Sequence, residues 1–456
     1  MDIPTNLELT GMWFFPDAPE KKYLGILEYK PFEETHTLTL YGIVFPVEEK
    51  IACINGETTD GKKVSLFDSS VNNGKSGNSN ALSAHTVFSF LNFLIGDSFF
   101  SSKDEVKFQY LSFRCSNLAE WLGVFPFQPI LQPKKKGLFF EKKQSVAFFS
   151  DEKVCIQLQF LMSYSFSCYE GTMKYCPTIV IKAKSNKTIP YWGEEKSLSY
   201  YKQVVDSFLD LVIGRKAFSY NIIGLVRNRN RFPSNVLQHN NKRKIYLDIK
   251  ETKIYNVGKL EHEWFEHLHV DRIYLPYPFI KENIELFFSS FIRQYNSFDY
   301  ILHDWKIIKN LSTFTNHSLP TLLYNLEGLH ESLFPEYRPM GAKRKDNIHF
   351  SSRLHDIFLN RLKGLFPFIK DEKQFETIIE DLVLIRKQDA HAKKRQHFSW
   401  GYHFNLILLV EFTIYFLILK QTYQLENNFL NRFALGWDDL QRDLPALLNE
   451  RMKSLQ

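Results

Sequence analysis

Two residues near the end of the chain have the types and the spacing for phosphoryl chemistry. Arg386 and His391 lie five positions apart in the stretch FETIIEDLVLIRKQDAHAKKRQHF, residues 375–398. Histidine moves protons near neutral pH, and arginine presents a planar fork that matches phosphate oxygens. Cutting RNA without a metal requires three things. A base takes the ribose 2′-OH proton, an acid protonates the leaving 5′-oxygen, and a cation stabilises the extra charge on phosphorus. Histidine suits the first two tasks and arginine the third. Lys393, Lys394 and Arg395 follow directly. They are candidates for holding RNA phosphates, with a solvated charged run as the plain alternative.

The R-x4-H pattern is short, and the chain holds a second copy, Arg344 to His349. Context separates the two. Arg344 lies in a basic loop near Pro339 and Gly341, where a solvated charge costs nothing. Arg386 continues the apolar stripe of Phe375, Ile378, Ile379 and Leu382, about 20° from Phe375 on a helical projection. A charge on such a face needs an anion or a set of acceptors. On one unbroken helix, residues five apart diverge by about 140°. Either the helix ends near Gln388, with Asp389 turning the chain, or the pair works across a subunit boundary. Two copies would supply two histidines and two arginines, which favours a composite site in a homodimer.

Supporting residues come from neighbouring helices. Glu327 and His330 are three apart beside the stripe Leu322, Leu323, Leu326 and Leu329, so they share a helix edge. A carboxylate there could orient Arg386 or His391; an ordinary surface pair is the alternative reading. Glu411 falls within the most hydrophobic run and needs a partner if buried, with Arg386 and His403 as the options. Lys387 follows Arg386 directly.

These residues belong to a chain that changes character along its length. From about Tyr23 to Ala183, short alternating runs such as HTLTLYGIVF and EVKFQYLSFR are separated by turn residues, the mark of antiparallel sheets. A helical period appears at Ser197–Leu211, with Gly214 as its stop. Two further strand-like runs follow. From about Lys281 the pattern is helical: Glu282–Tyr295, a helix capped by Ser318, Phe350–Leu362 closed by Gly364, then the stretch around Arg386. A long apolar helix from Trp400 and a last one from Asp438 complete the series. Antiparallel helices with short connections form a bundle.

With 456 residues the chain has material for several cores, and its net charge of +6 permits nucleic-acid binding without requiring it. The five cysteines show no CxxC pair, so neither a zinc knuckle nor a disulfide framework is indicated, and no metal or cofactor is expected. Phe404–Leu419 is shorter than a membrane span and carries Asn405 and Glu411, so it reads as a buried helix and no membrane partner is expected. A signal peptide is not evident, and a cytoplasmic setting is the expectation.

Two resemblances are carried by named residues. The C-terminal helices with Arg386-x4-His391 resemble HEPN domains, whose nuclease members bear R-x(4–6)-H at a dimer interface. Many of those members have Asn directly after the Arg, where this chain has Lys387. The N-terminal half is similar to the leading domain of the ApeA family of anti-phage HEPN proteins. Carrying that likeness are Gly11-x-Trp13 with Pro16, Gly25-x-Leu27, Leu40 with Gly42, and Ile54-x-Gly56-x-Thr58 leading to Gly61-Lys62-Lys63-Val64-Ser65-Leu66. Leu94-Ile95-Gly96 and Asn117-Leu118-x-x-Trp121 follow in the same order. The resemblance implies an RNase that halts phage infection by cutting RNA, with tRNA a plausible target, and gives catalytic roles to Arg386 and His391 alone.

The expectation is an α+β chain. A β-rich, sandwich-like region over residues 1–290, divisible near 150, precedes an all-α helical domain over 291–456. The β-rich part, where no nucleophile–base pair or phosphate-cradling glycine loop occurs, is expected to sense or regulate, with a phage protein as a candidate trigger. The rival reading is a binding protein whose helical half only dimerises.

Overall fold

The structure is a computed structural model, and it describes residues 5–33, 36–46, 49–75, 84–123, 129–131, 138–140, 145–166, 171–193, 195–229, 247–256, 268–269, 272–309, 318–339, 348–390, 398–423 and 437–455. The fold is α+β, an extended antiparallel β-structure followed by a helical C-terminal region. The chain divides into two compact units. The first comprises residues 1–119, 125–206 and 218–267, and the second 120–124, 207–217 and 268–456.

Seventeen strands are found among the described residues. The first seven are β1 (Leu7–Phe15), β2 (Ala18–Tyr29), β3 (Thr37–Tyr41), β4 (Lys50–Thr58), β5 (Lys63–Lys75), β6 (His85–Ser89) and β7 (Asn92–Gly96). After β8 (Lys107–Phe108) come β9 (Tyr110–Cys115), β10 (Pro129–Leu131), β11 (Leu138–Phe140), β12 (Ser145–Ser150), β13 (Val154–Phe166), β14 (Gly171–Ala183), β15 (Ile189–Pro190), β16 (Ser219–Arg229) and β17 (Leu247–Asn256). The order β5-β4-β1-β2-β3-β6 returns to β5, because β5 also pairs with β6. Six antiparallel strands therefore close into a barrel, which removes the edges an open sheet would expose. Closure rests on β5. Along one edge it pairs with β4 over Lys63–Ser70, and along the other with β7 over Lys63–Phe67 and then with β6 from Ser70 onward, with a register shift between Val71 and Asn73. From β7 the sheet continues open through β17, β16, β9, β14, β13 and β12.

Alternate residues of the barrel strands fill its interior: Trp13, Leu27, Leu38, Leu40, Ile54, Val64, Leu66 and Phe88 are all buried there. Trp13 explains two glycines of the family-like motifs. It stands opposite Gly56 in the β1–β4 register. A Cβ on Gly56 would meet its indole at 2.3 Å, and one on Gly25 would meet it at 2.7 Å. A ring of that size fits only where the facing backbone has no side chain.

The second unit is helical. Its elements include α1 (Leu118–Leu122) from Glu120 onward, the end of α2 (Leu198–Ile213) from Ser207, α3 (Tyr277–Ile280), α4 (Ile284–Gln294), α5 (Asp299–Lys309), α6 (Ser318–Leu333), α7 (Phe350–His355), α8 (Glu372–Ala390), α9 (Trp400–Tyr423) and α10 (Trp437–Leu455). Gly214 ends α2 with φ +77°, the left-handed geometry expected of a helix stop. α9 is long and apolar enough to cross a membrane, but 89% of its most hydrophobic window is buried. It packs against α4, α6 and α10 as a core helix does. Asp381 of α8 ties this group together, accepting from the Tyr402 hydroxyl of α9 at 3.0 Å and from Arg451 of α10 at 2.8 Å.

Candidate functional site

Helix α8 begins where the Asp371 carboxylate accepts from the Gln374 N–H at 2.8 Å and the Gln374 side chain accepts from the Lys370 N–H at 2.7 Å. This reciprocal capping satisfies two otherwise orphaned donors. Ile378, Ile379, Leu382 and Ile385 are buried along the helix, while Phe375 is partly buried. The helix continues past Gln388 to Ala390, two residues further than one of the two sequence readings required.

Arg386 sits at the margin of that buried face, its side chain 26% exposed, and its Nη2 donates to the Glu327 carboxylate of α6. Its guanidinium also lies over two rings, 5.0 Å from the centre of Tyr324 and 4.9 Å from that of Phe350. A planar cation held by a carboxylate and two aromatic faces has little orientational freedom left. Lys387, one position on, is exposed. His391, Lys393, Lys394 and Arg395 lie outside the described residues, as do the second-copy Arg344 and Cys168.

Glu327 and His330 both enter a charged network. Arg353 of α7 approaches Glu327 at 3.9 Å and Glu331 at 3.4 Å, and its Nη1 donates to His330 Nδ1 at 3.4 Å. Because guanidinium nitrogens only donate, His330 Nδ1 must accept, which leaves its proton on Nε2. Nε2 then donates to Asp356 at 2.8 Å. His330 is fully buried, and burial, aided by Arg353 and Arg361, lowers its pKa despite the Asp356 carboxylate. The imidazole is held neutral.

A π-turn completes the network. Residues Asp356–Arg361 follow α7 with wider helical spacing, the Leu362 N–H reaching back five residues to the Ile357 carbonyl at 2.8 Å. In an α-helix, side chains five apart diverge by about 140°. The wider π spacing brings Arg361 back over Asp356, to which its Nε donates at 3.0 Å. Asn360 donates to the same carboxylate at 3.0 Å. Burial pushes the Asp356 pKa up, but the hydrogen bonds from His330, Asn360 and Arg361 outweigh it, and the net shift is downward. Arg361 lies over the Phe334 ring at 4.0 Å. Three guanidinium groups, Arg353, Arg361 and Arg386, thus face the carboxylates of Glu327, Glu331 and Asp356.

Arg353, Asp356 and Arg361 are not among the residues singled out by sequence. The signal that exposed Arg386 was available for Arg353, which lies on the stripe Phe350, Leu354, Ile357. No local signal marks the π-turn. His355 forms a separate pair with Glu376 at 2.9 Å, while its Nδ1 donates to the Ser351 carbonyl at 2.6 Å. Burial opposes the charge on this half-exposed ring, but the Ser351 carbonyl and Glu376 prevail and raise its pKa. Glu411 is buried in α9 and accepts from the Tyr274 hydroxyl at 3.3 Å, a partner not foreseen, while Arg386 is taken by Glu327.

Among the described residues no group of three or more His, Cys, Asp or Glu is placed to hold a metal ion. Cys53, Cys115, Cys155 and Cys176 are free thiols.

No curated protein and no solved structure matches the chain. The family model for ApeA N-terminal domain 1 matches residues 8–291, more than half of the 456. The presence of that domain points to a protein of anti-phage defence. The chain belongs to the ApeA N-terminal domain 1 family.

Proposed function

We propose that this chain is a metal-independent HEPN-type endoribonuclease of an anti-phage system, acting at a composite site in a homodimer. The observation that carries the reading is the seat of Arg386, a cation oriented by Glu327 and by the rings of Tyr324 and Phe350 at the end of a core helix. A histidine and three cations follow it in the chain. In this reading Arg386 stabilises charge on phosphorus, and His391 handles protons. The 2′-oxygen attacks phosphorus as its proton passes to a base, the bond to the 5′-oxygen breaks, and an acid protonates that oxygen. A 2′,3′-cyclic phosphate is left. Lys393, Lys394 and Arg395 hold neighbouring phosphates. tRNA is a fitting substrate class, and the β-rich unit regulates the activity, with a phage protein as the trigger.

A second reading has an observation of its own. The charge of Arg386 is already met by Glu327 within a network whose arginines and carboxylates balance, as in a structural helix junction. On that reading the helical unit only dimerises and the protein senses without cleaving. Phage challenge separates the two: a His391→Ala protein loses protection if the chain is a nuclease and keeps it if the helical unit is a scaffold.

A further inference from the structure

Of the two rings against which the Arg386 guanidinium lies, Phe350 is buried, whereas Tyr324 is 43% exposed. A second tyrosine reaches the same helix. Tyr300 of α5 is 47% exposed, and its hydroxyl meets α6 at Gly328, one helical turn beyond Tyr324. A Cβ on Gly328 would collide with that hydroxyl. Glycine inside a helix weakens it, and here it stands where the Tyr300 ring makes its close approach.

Positions three and four apart on a helix are neighbours. Tyr324, Glu327 and Gly328 therefore share one side of α6. Arg386 of α8 meets the first two, and Tyr300 of α5 meets the third. A fixed cation and two part-exposed rings thus come together within about one turn of α6. Guanidinium groups pair with phosphate oxygens, and aromatic rings stack with nucleobases. A nucleotide carries both partners on one short frame, a phosphate and a flat π-system, so it matches this combination where an aliphatic partner would not.

We propose that Tyr324 and Tyr300 are substrate-stacking residues, which hold the nucleobases beside the phosphate that Arg386 meets. The assignment rests on the RNA-cleaving reading given above. The exposed part of the Tyr324 ring takes the base of an adjoining nucleotide, and Tyr300 takes the next. The phosphate is then held in register with Arg386 whatever the base, since every base has a π-face.

The test is binding of two uncleavable, fluorescein-labelled probes to the full-length protein, read by anisotropy. One is a short 2′-O-methyl oligouridylate, which lacks the attacking hydroxyl, and the other is the same backbone without bases. The wild type is expected to bind the oligouridylate at least about tenfold more tightly than the abasic backbone. Tyr324→Leu and Tyr300→Leu should each weaken the oligouridylate by about fivefold or more and leave the abasic backbone within about twofold. Tyr324→Phe and Tyr300→Phe keep the ring and should bind as the wild type does. Neither probe is cut, so the two readings fail separately. A protein that shows this preference yet leaves RNA intact refutes the nuclease reading alone. One that cuts RNA while either Leu variant keeps the wild-type preference refutes the stacking alone. No binding of either probe, equal affinity of the wild type for both, or an equal loss on both probes in the Leu variants overturns the proposal. So does a shift from dimer to monomer in those variants with the preference intact, which would assign the rings to an interface between copies.

Discussion

Arg386 of α8 donates to Glu327 of α6, a residue 59 positions earlier in the chain. The pair fixes where the guanidinium points and joins it, through Arg353, to the buried His330–Asp356 pair. A cation that must meet a phosphate in one orientation gains from such a hold. Replacing Glu327 by Gln keeps the shape and removes the charge. Since both side chains are partly exposed, the stability cost is small, about 0–1 kcal/mol. On the nuclease reading, single-turnover RNA cleavage falls by about tenfold to a hundredfold. Unchanged cleavage would remove Glu327 from the site.

His330 is predicted to matter for folding more than for contact with substrate, because it is fully buried. Changing it to Ala leaves Asp356 and Arg353 short of a partner. The expected loss is about 2–4 kcal/mol, read as a lowered midpoint in urea. A midpoint equal to that of the wild type would mean the network carries little stability.

The two paired histidines are expected to give opposite pH dependences. The His330 pKa is lowered below its ordinary 6.5 in the folded protein, so the unfolded chain binds more protons below that pH. Its contribution is present above about pH 6.5 and is lost as the pH falls toward the folded value. The His355 pKa is raised, so its contribution is present below about pH 6.5 and is lost as the pH rises through the folded value. Urea midpoints between about pH 5 and pH 8 check this. His330→Gln should flatten the acid-side decline and His355→Gln the alkaline-side decline, the latter effect being smaller because that ring is half-exposed.

In the barrel, Gly56→Ala sets a methyl group against the Trp13 indole. Overpacking of this kind costs about 1–3 kcal/mol. Combining it with Trp13→Leu should recover part of that loss, since the cost depends on the ring, and a thermal-melting double-mutant cycle measures the coupling. Strict additivity would contradict the packing account.

The basic run is tested by salt. Neutralising Lys393, Lys394 and Arg395 should reduce the magnitude of the salt slope of RNA binding by about 2–3, near one unit per lost phosphate contact. An unchanged slope excludes these residues from the interface.

Local periods carried much of this in the sequence. Strand alternation around Leu38, Leu40 and Ile54 and the helical stripe of α8 are properties of neighbouring residues, so they are legible without the fold. The placement of Arg386 was legible for the same reason, as a charge at the edge of an apolar face. Its partner was a matter of proximity between helices, and Glu327 stood out only because it flanks another stripe. Barrel closure was hidden, since it depends on β5 changing partners from β7 to β6 between Phe67 and Ser70, a long-range choice that alternation does not encode. The π-turn at Asp356–Arg361 was hidden too, because DIFLNR contains neither Gly nor Pro to mark it. The boundary placed at 290 followed the loss of strand patterning, whereas the helical unit gathers residues from 120–124, 207–217 and 268 onward by contact.

The central claim is most directly tested by RNA cleavage in EDTA, comparing wild type with Arg386→Ala and His391→Ala at matched folding. The account predicts that wild type cleaves and leaves 2′,3′-cyclic phosphate ends, while each variant loses about a hundredfold to ten-thousandfold in rate. Equal cleavage by wild type and His391→Ala, or no cleavage by wild type until a divalent cation is restored, would contradict it.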